Sequence, residues 1–155
     1  MGRCGKVNAM GSTRSYKDLD AWRLAMTLVE TTYRVSQLFP DTERYGLVSQ
    51  MRRCSVSIPS NIAEGQARGT VKFGLHFIRV AIGSTAELDT QTELARRLGF
   101  VTGQTTRELD GQLERVRQML YGMRREHERR LSTAGAAVVS LLFFVIILTA
   151  AALFV

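Results

Sequence analysis

Apolar side chains recur along this chain at helical spacing. Leu19, Trp22, Met26, Val29 and Tyr33 advance by alternate steps of three and four, which predicts a helix over 19–39. Asp18 is the expected N-cap, and Pro40 stops the helix after Phe39. Leu47, Met51, Cys54, Ile58 and Ile62 keep the same phase over 43–66. Pro59 falls inside that run, and because the apolar phase continues past it, a kink is expected and not a break. Gly65 and Gly69 are expected to end it. Thr70 caps a third helix with Phe73, Phe77, Val80, Ser84, Leu88, Gln91 and Leu98 on one side. Gly74 and Gly83 lie inside it. Each costs about 1 kcal/mol against Ala, so both are expected to mark close backbone packing. Gly99 is the C-cap candidate. The fourth helix starts between Thr102 and Thr105, where Thr105 and Glu108 fit a capping box, and Leu109, Leu113, Val116, Leu120 and Met123 line one face. No stretch alternates as a strand does. The predicted fold class is therefore all-α: an up-down-up-down four-helix bundle, with an added C-terminal hydrophobic helix.

The added segment breaks the amphipathic pattern. From Ala134 to Val155 the chain has no charge, and Leu141 through Leu148 are apolar on every side. Twenty-two residues span about 33 Å as a helix, against a hydrocarbon core of about 30 Å. Arg124, Arg125, Arg129 and Arg130 precede it, and by the positive-inside rule they hold the bundle on the cytoplasmic side. The segment reads as a tail anchor in the inner membrane; the alternatives are a helix buried in an oligomer and a cytoplasmic protein. The first residues, MGRCGKVNAMGSTRS, hold no apolar run fit for a signal peptide, and Lys6 spoils a myristoylation pattern. Three regions result: a disordered basic leader over 1–15, the bundle over 16–131, and the hydrophobic tail over 132–155.

The net charge is +7, from 21 Lys+Arg and 14 Asp+Glu. Most of the excess lies at the two ends of the charged part, so it says little about the body. Two cysteines, Cys4 and Cys54, lack metal-ligand spacing, and two histidines, His76 and His127, leave little material for a triad. No metal site, cofactor or catalytic residue is expected, and the chain reads as a non-enzyme. A polar cluster interrupts the second and third helices at Ser55, Ser57, Ser60, Asn61, Glu64, Ser84 and Glu87. It reads either as a site lined by Asn61, Glu64 and Glu87 or, more plainly, as a buried network that fixes helix register. Arg52, Arg53, Arg68, Lys72 and Arg79 are the candidate phosphate contacts, with a solvated face as the plain reading.

Several strings carry a resemblance. They are Tyr16-Lys17-Asp18-Leu19-Asp20-Ala21-Trp22, Phe39-Pro40, Tyr45-Gly46-Leu47, Ser57-Ile58-Pro59-Ser60-Asn61-Ile62-Ala63-Glu64-Gly65 and Gly83-Ser84 with Glu87-Leu88. Together they resemble the bacterial four-helix bundle family, also called the ribosomal RNA intervening-sequence protein family, over roughly residues 16–123. The resemblance implies a homo-oligomer, a pentamer in known members, and no catalytic residues. It implies that Pro59, Asn61, Glu64, Gly65 and Glu87 define the fold. A related branch, the accessory variability determinant of diversity-generating retroelements, implies RNA or a reverse transcriptase as partner. The functional expectation is a non-enzymatic, RNA-associated binding or scaffold module; the alternative is a membrane-tethered adaptor with no nucleic-acid role.

Overall fold

The structure is a computed structural model that describes the backbone of residues 15–153 and the side chains of residues 15–136. The basic leader expected at the N-terminus falls almost wholly outside these residues. Among them are four α-helices and no strand: α1 (Asp20–Ser36), α2 (Leu47–Ala67), α3 (Val71–Arg97) and α4 (Gly103–Leu153).

The helix ends follow local chemistry, and several differ from expectation. Asp18 does not cap α1. It sits in a short 3-10 turn, Tyr16–Asp18, and Leu19 takes the N-cap position without a side-chain bond. Arg23 Nε holds that turn by donating to the Lys17 carbonyl at 2.8 Å. Helix α1 stops at Ser36, short of Pro40, and Phe39 folds back to meet Phe100 at a ring distance of 5.6 Å. Helix α2 starts at Leu47, the first residue of its apolar phase, four residues after the start of the expected range 43–66. Gly46 takes the N-cap position, and Glu43 accepts the Leu47 N–H at 3.0 Å. The helix passes through Pro59 unbroken and through Gly65, which is buried and does not end it. Gly69 ends it, at φ +69°, a conformation glycine adopts without strain. Thr70 caps α3 as expected, accepting from Phe73 N–H at 3.3 Å. Gly99, at φ +75°, closes α3, while Phe100 N–H reaches the Ala95 carbonyl at 3.0 Å. At the start of α4 the cap is Thr102, which accepts from Thr105 N–H at 3.3 Å. The Thr105–Glu108 box does not form, because the helix begins at Gly103 and Thr105 lies inside its first turn; Glu108 pairs with Arg34 at 3.1 Å.

Side-chain contacts give the relative sense of two helix pairs. Ser57 meets Ser84 and Cys54 meets Glu87, so residue numbers rise on α2 as they fall on α3. Arg79 with Glu128 and Arg96 with Asp110 give the same sense for α3 and α4. The core between them is built on Leu28, Met51, Ile58, Ile62, Leu88, Leu109, Val116 and Leu120. Helices α2 and α4 bury the stripes that their spacing predicts. In α1 and α3 the buried stripe is displaced. Helix α1 buries Ala21, Ala25, Leu28, Thr32 and Val35, and leaves Met26 and Tyr33 exposed. Helix α3 buries Leu75, Ile78, Ala81, Thr85, Leu88, Thr92 and Ala95, and leaves Phe73 and Val80 exposed. Small residues win because they let the helix axes approach closely. Their threonine hydroxyls donate to carbonyls of the preceding turn, as Thr92 does to Leu88 at 2.8 Å.

The tail continues α4 in backbone to Leu153, with no break to set off a separate helix. Among the described residues no helix is long and apolar enough to cross a membrane. Most of the expected anchor, 134–155, lies outside the residues whose side chains are described.

Candidate nucleic-acid interface

The five basic residues singled out from the sequence fall into two groups at opposite ends of α2. Arg68, Lys72 and Arg79 surround the α2–α3 turn, and two of them are already engaged. Arg68 pairs with Glu64 at 2.7 Å and lies 5.6 Å from the Phe77 ring centre. Arg79 pairs with Glu128 at 3.1 Å. Arg52 and Arg53 stand some 16 residues earlier, about 24 Å away along the helix.

Around Arg52 and Arg53 the chain forms an open groove of about 620 Å³. That size lies within the usual range of ligand clefts, roughly 300–1,000 Å³. Its walls carry three arginines, Arg44, Arg52 and Arg53, and two tyrosines, Tyr33 and Tyr45, but no carboxylate. Among the described residues none of these three arginines has a carboxylate within ion-pair distance, whereas Arg34, Arg68, Arg79, Arg96, Arg97 and Arg117 all do. Arg52 is held in place. Its Nε donates to Ser36 Oγ at 2.9 Å, and its guanidinium lies 4.7 Å from the Tyr33 ring centre. Such contacts leave the charge uncompensated while removing much of the side chain's freedom. Ser49, in the first turn of α2, also lines the groove. Arg44, Tyr45 and Tyr33 escape sequence reasoning. They come from the α1–α2 connection and the end of α1, and only the antiparallel packing brings them to Arg52. The one sequence signal is the density of Arg and Tyr between positions 33 and 53.

The polar motif residues do not gather into one site. Glu64 is exposed and serves Arg68. Asn61 donates back to Ser57, to the carbonyl at 2.7 Å and the hydroxyl at 3.0 Å. Ser57 Oγ in turn meets Ser84 Oγ at 2.9 Å across α2 and α3. Further along the seam the Cys54 thiol donates to Glu87 at 2.9 Å, and Gln91 Nε2 donates to the sulfur at 3.4 Å. Burial, with Glu87 beside it, pushes the Cys54 thiol above its ordinary pKa, so it stays protonated and unreactive. Gly65 lies at the tight end of the seam, where an added Cβ would sit 3.1 Å from Phe77 Cβ. Pro59 faces α1 in a shallow cleft with Trp22 and Met26. These residues fix the register of α2 on α3 and α1. Among the described residues no group of three or more His, Cys, Asp or Glu is placed to hold a metal ion.

A family model described as 23S rRNA-intervening sequence protein matches residues 17–122. No curated protein matches the chain.

Proposed function

The chain belongs to the 23S rRNA-intervening sequence protein family, and from that premise we propose that it is a non-catalytic, RNA-associated binding or scaffold module. In this reading an up-down-up-down bundle carries its RNA contact in the groove of Arg44, Arg52 and Arg53. The observation that carries it is that groove: three arginines without acidic partners in a family whose name is tied to ribosomal RNA. Arginine suits the task because its planar fork meets phosphate oxygens bidentately.

The test is binding of a labelled RNA to the full chain, titrated from low to physiological salt. Each phosphate contact on a single strand adds about −0.7 to the log–log slope. Arg53→Gln is expected to weaken binding and shift the slope by about 0.7 toward zero. Absence of binding at low salt would overturn the reading and leave a protein-interaction scaffold.

Self-association belongs to the same proposal, as a homo-oligomer of five copies. Its support is the second stripe of α3, at positions 73, 77, 80, 84, 87, 91, 94 and 98. These steps of four and three are heptad spacing, with Ser84, Glu87 and Gln91 in the middle turned to α2 and exposed apolar residues toward either end. Phe73, Val80, Leu94 and Leu98 are exposed there. Sedimentation of the full chain against a Leu94→Gln/Leu98→Gln variant tests it, with a smaller particle expected for the variant.

A membrane tether through the uncharged residues 134–155 is compatible with both parts. Its basis is the uncharged composition of that segment. A carbonate wash of membranes decides it: full release into the soluble fraction would end the idea.

A further inference from the structure

The groove is more specific than a patch of positive charge. Tyr45 is 90% exposed, a phenol ring standing in water beside the arginines with nothing over it. Its backbone is nonetheless pinned. Gly46 N–H donates to the Glu43 carbonyl at 3.0 Å, and Leu47 N–H donates to the Glu43 carboxylate at 3.0 Å. A bare aromatic ring on a pinned turn, beside guanidinium groups without ion-pair partners among the described residues, is the composition of a base-stacking platform.

The groove also has a continuation. Val56 lines both it and a second, mostly apolar cleft of about 340 Å³. The α1 stripe that fails to enter the core forms that wall: Trp22, Met26 and Val29, with Tyr16 edge-on to Trp22 at 5.4 Å. The large apolar residues of α1 therefore flank an open track that starts at the three arginines.

We propose that the outer groove between α1 and α2 binds an unpaired nucleotide of a single RNA strand, its phosphate on Arg44 and Arg53 and its base on Tyr45. The next base along the strand lies toward the Trp22 cleft. This rests on the RNA-associated reading above and narrows it from RNA in general to unpaired RNA. Duplex RNA does not fit the same chemistry, because its bases are stacked inside the helix and offer no face to Tyr45. The absence of a carboxylate in the groove admits a phosphate at close range. Arg52, already held by Ser36 and Tyr33, adds field at little ordering cost.

The experiment uses the full chain with two probes: labelled oligouridine, and the same oligouridine annealed to oligoadenosine. Anisotropy gives affinity. The intrinsic emission of Trp22, the sole tryptophan of the chain, reports on the adjoining cleft. The single strand is expected to bind more tightly than the duplex and to change Trp22 emission. Tyr45→Ala, a substitution at an exposed ring, is expected to weaken single-strand binding between about fivefold and a hundredfold. It should leave duplex binding and the salt slope unchanged. Arg53→Gln should weaken both probes. Equal binding of the two probes together with an inert Tyr45→Ala would overturn this inference and leave the RNA-associated reading standing. Failure of both probes to bind at low salt would overturn both readings, and would make the groove a protein-docking surface.

Discussion

A methyl group added at Gly74 would meet the His127 ring, with Nε2 2.6 Å and Cδ2 2.9 Å from the new carbon. The ring has no easy retreat, because its Nδ1–H donates to the Met123 carbonyl at 2.9 Å. Gly74 also faces Gly65, so α2, α3 and α4 converge where two of them lack a side chain. Nine residues on, an added methyl at Gly83 would meet nothing within 4 Å. The two substitutions therefore have opposite signs. Gly83→Ala is expected to stabilise by about 0.5–1 kcal/mol, the helix-propensity gain alone. Gly74→Ala gains the same term but overpacks against an anchored ring, which costs about 1–3 kcal/mol, and is expected to be a net loss. Thermal melts of the two variants against the parent check both signs. A Gly74→Ala protein that melts higher than the parent would contradict the packing described. In the sequence these glycines read alike, as interior helix breakers that call for close packing. One is such a contact and the other is open. Nothing local separates them, because the atom that matters belongs to a helix some fifty residues further along.

Helix α3 carries two stripes, and its large residues point to the wrong one. Phe73, Phe77, Val80, Leu94 and Leu98 have the greater hydrophobicity, but the core takes Ile78, Ala81, Thr85, Leu88, Thr92 and Ala95. Alanine and threonine score as neutral in a pattern search, yet they suit a close helix crossing. Helix α1 repeats the case, with Ala21, Ala25 and Thr32 inside and Met26 and Tyr33 outside. Helix existence, the Thr70 cap and the Gly99 ending are legible because they depend on a few neighbouring residues. The rotation of a helix about its axis is not, because it depends on how near the neighbours come. The same reasoning covers the groove: Arg52 and Arg53 are visible as a pair, but Tyr33 and Arg44 join them only through the α1–α2 packing. Adjacent residues test the rotation of α3. Ala81 is fully buried and Val80 is 40% exposed. Ala81→Leu is expected to destabilise by about 1–3 kcal/mol or more, and Val80→Leu by less than about 0.5, in chemical denaturation. In α4 the local chemistry is electrostatic. Glu126 accepts from Arg129 at 2.9 Å and from Arg130 at 2.7 Å, and these bonds hold its carboxyl down at about 2. An unperturbed glutamate titrates near about 4.3. A depressed folded value contributes stability that is present above about 4.3 and lost as pH falls through about 2. The carbon resonance of the Glu126 carboxyl is expected to titrate near that lower value. Arg129→Gln with Arg130→Gln should return it toward the ordinary one.

At the scale of the whole molecule the charge has a geometry that composition hides. The net +7 of the chain is shared among a leader, a nearly balanced body and the arginines that precede the tail. Within the body, Arg44, Arg52 and Arg53 stand at one end of α2 without acidic partners among the described residues. Arg68 and Arg79, at the other end, are tied to Glu64 and Glu128, and only Lys72 of that group is without an acidic partner among the described residues. The groups are about 24 Å apart along α2. The Debye length is about 8 Å at 0.15 M salt and about 30 Å at 0.01 M. At low salt, then, both ends contribute to one field, and at physiological salt each acts alone. This separates contact from background. Reversal of Arg68 and Lys72 to Glu is expected to weaken RNA binding at 0.01 M and to have little effect at 0.15 M. Reversal of Arg44 and Arg53 to Glu should abolish binding at both, because it removes the phosphate contacts themselves and places two carboxylates where the phosphate sits. Affinity measured for the parent and the two double variants at both salt concentrations decides the matter. If the Arg68/Lys72 variant loses binding at 0.15 M while the Arg44/Arg53 variant keeps it, the contact lies at the α2–α3 turn, and the groove between α1 and α2 serves another ligand.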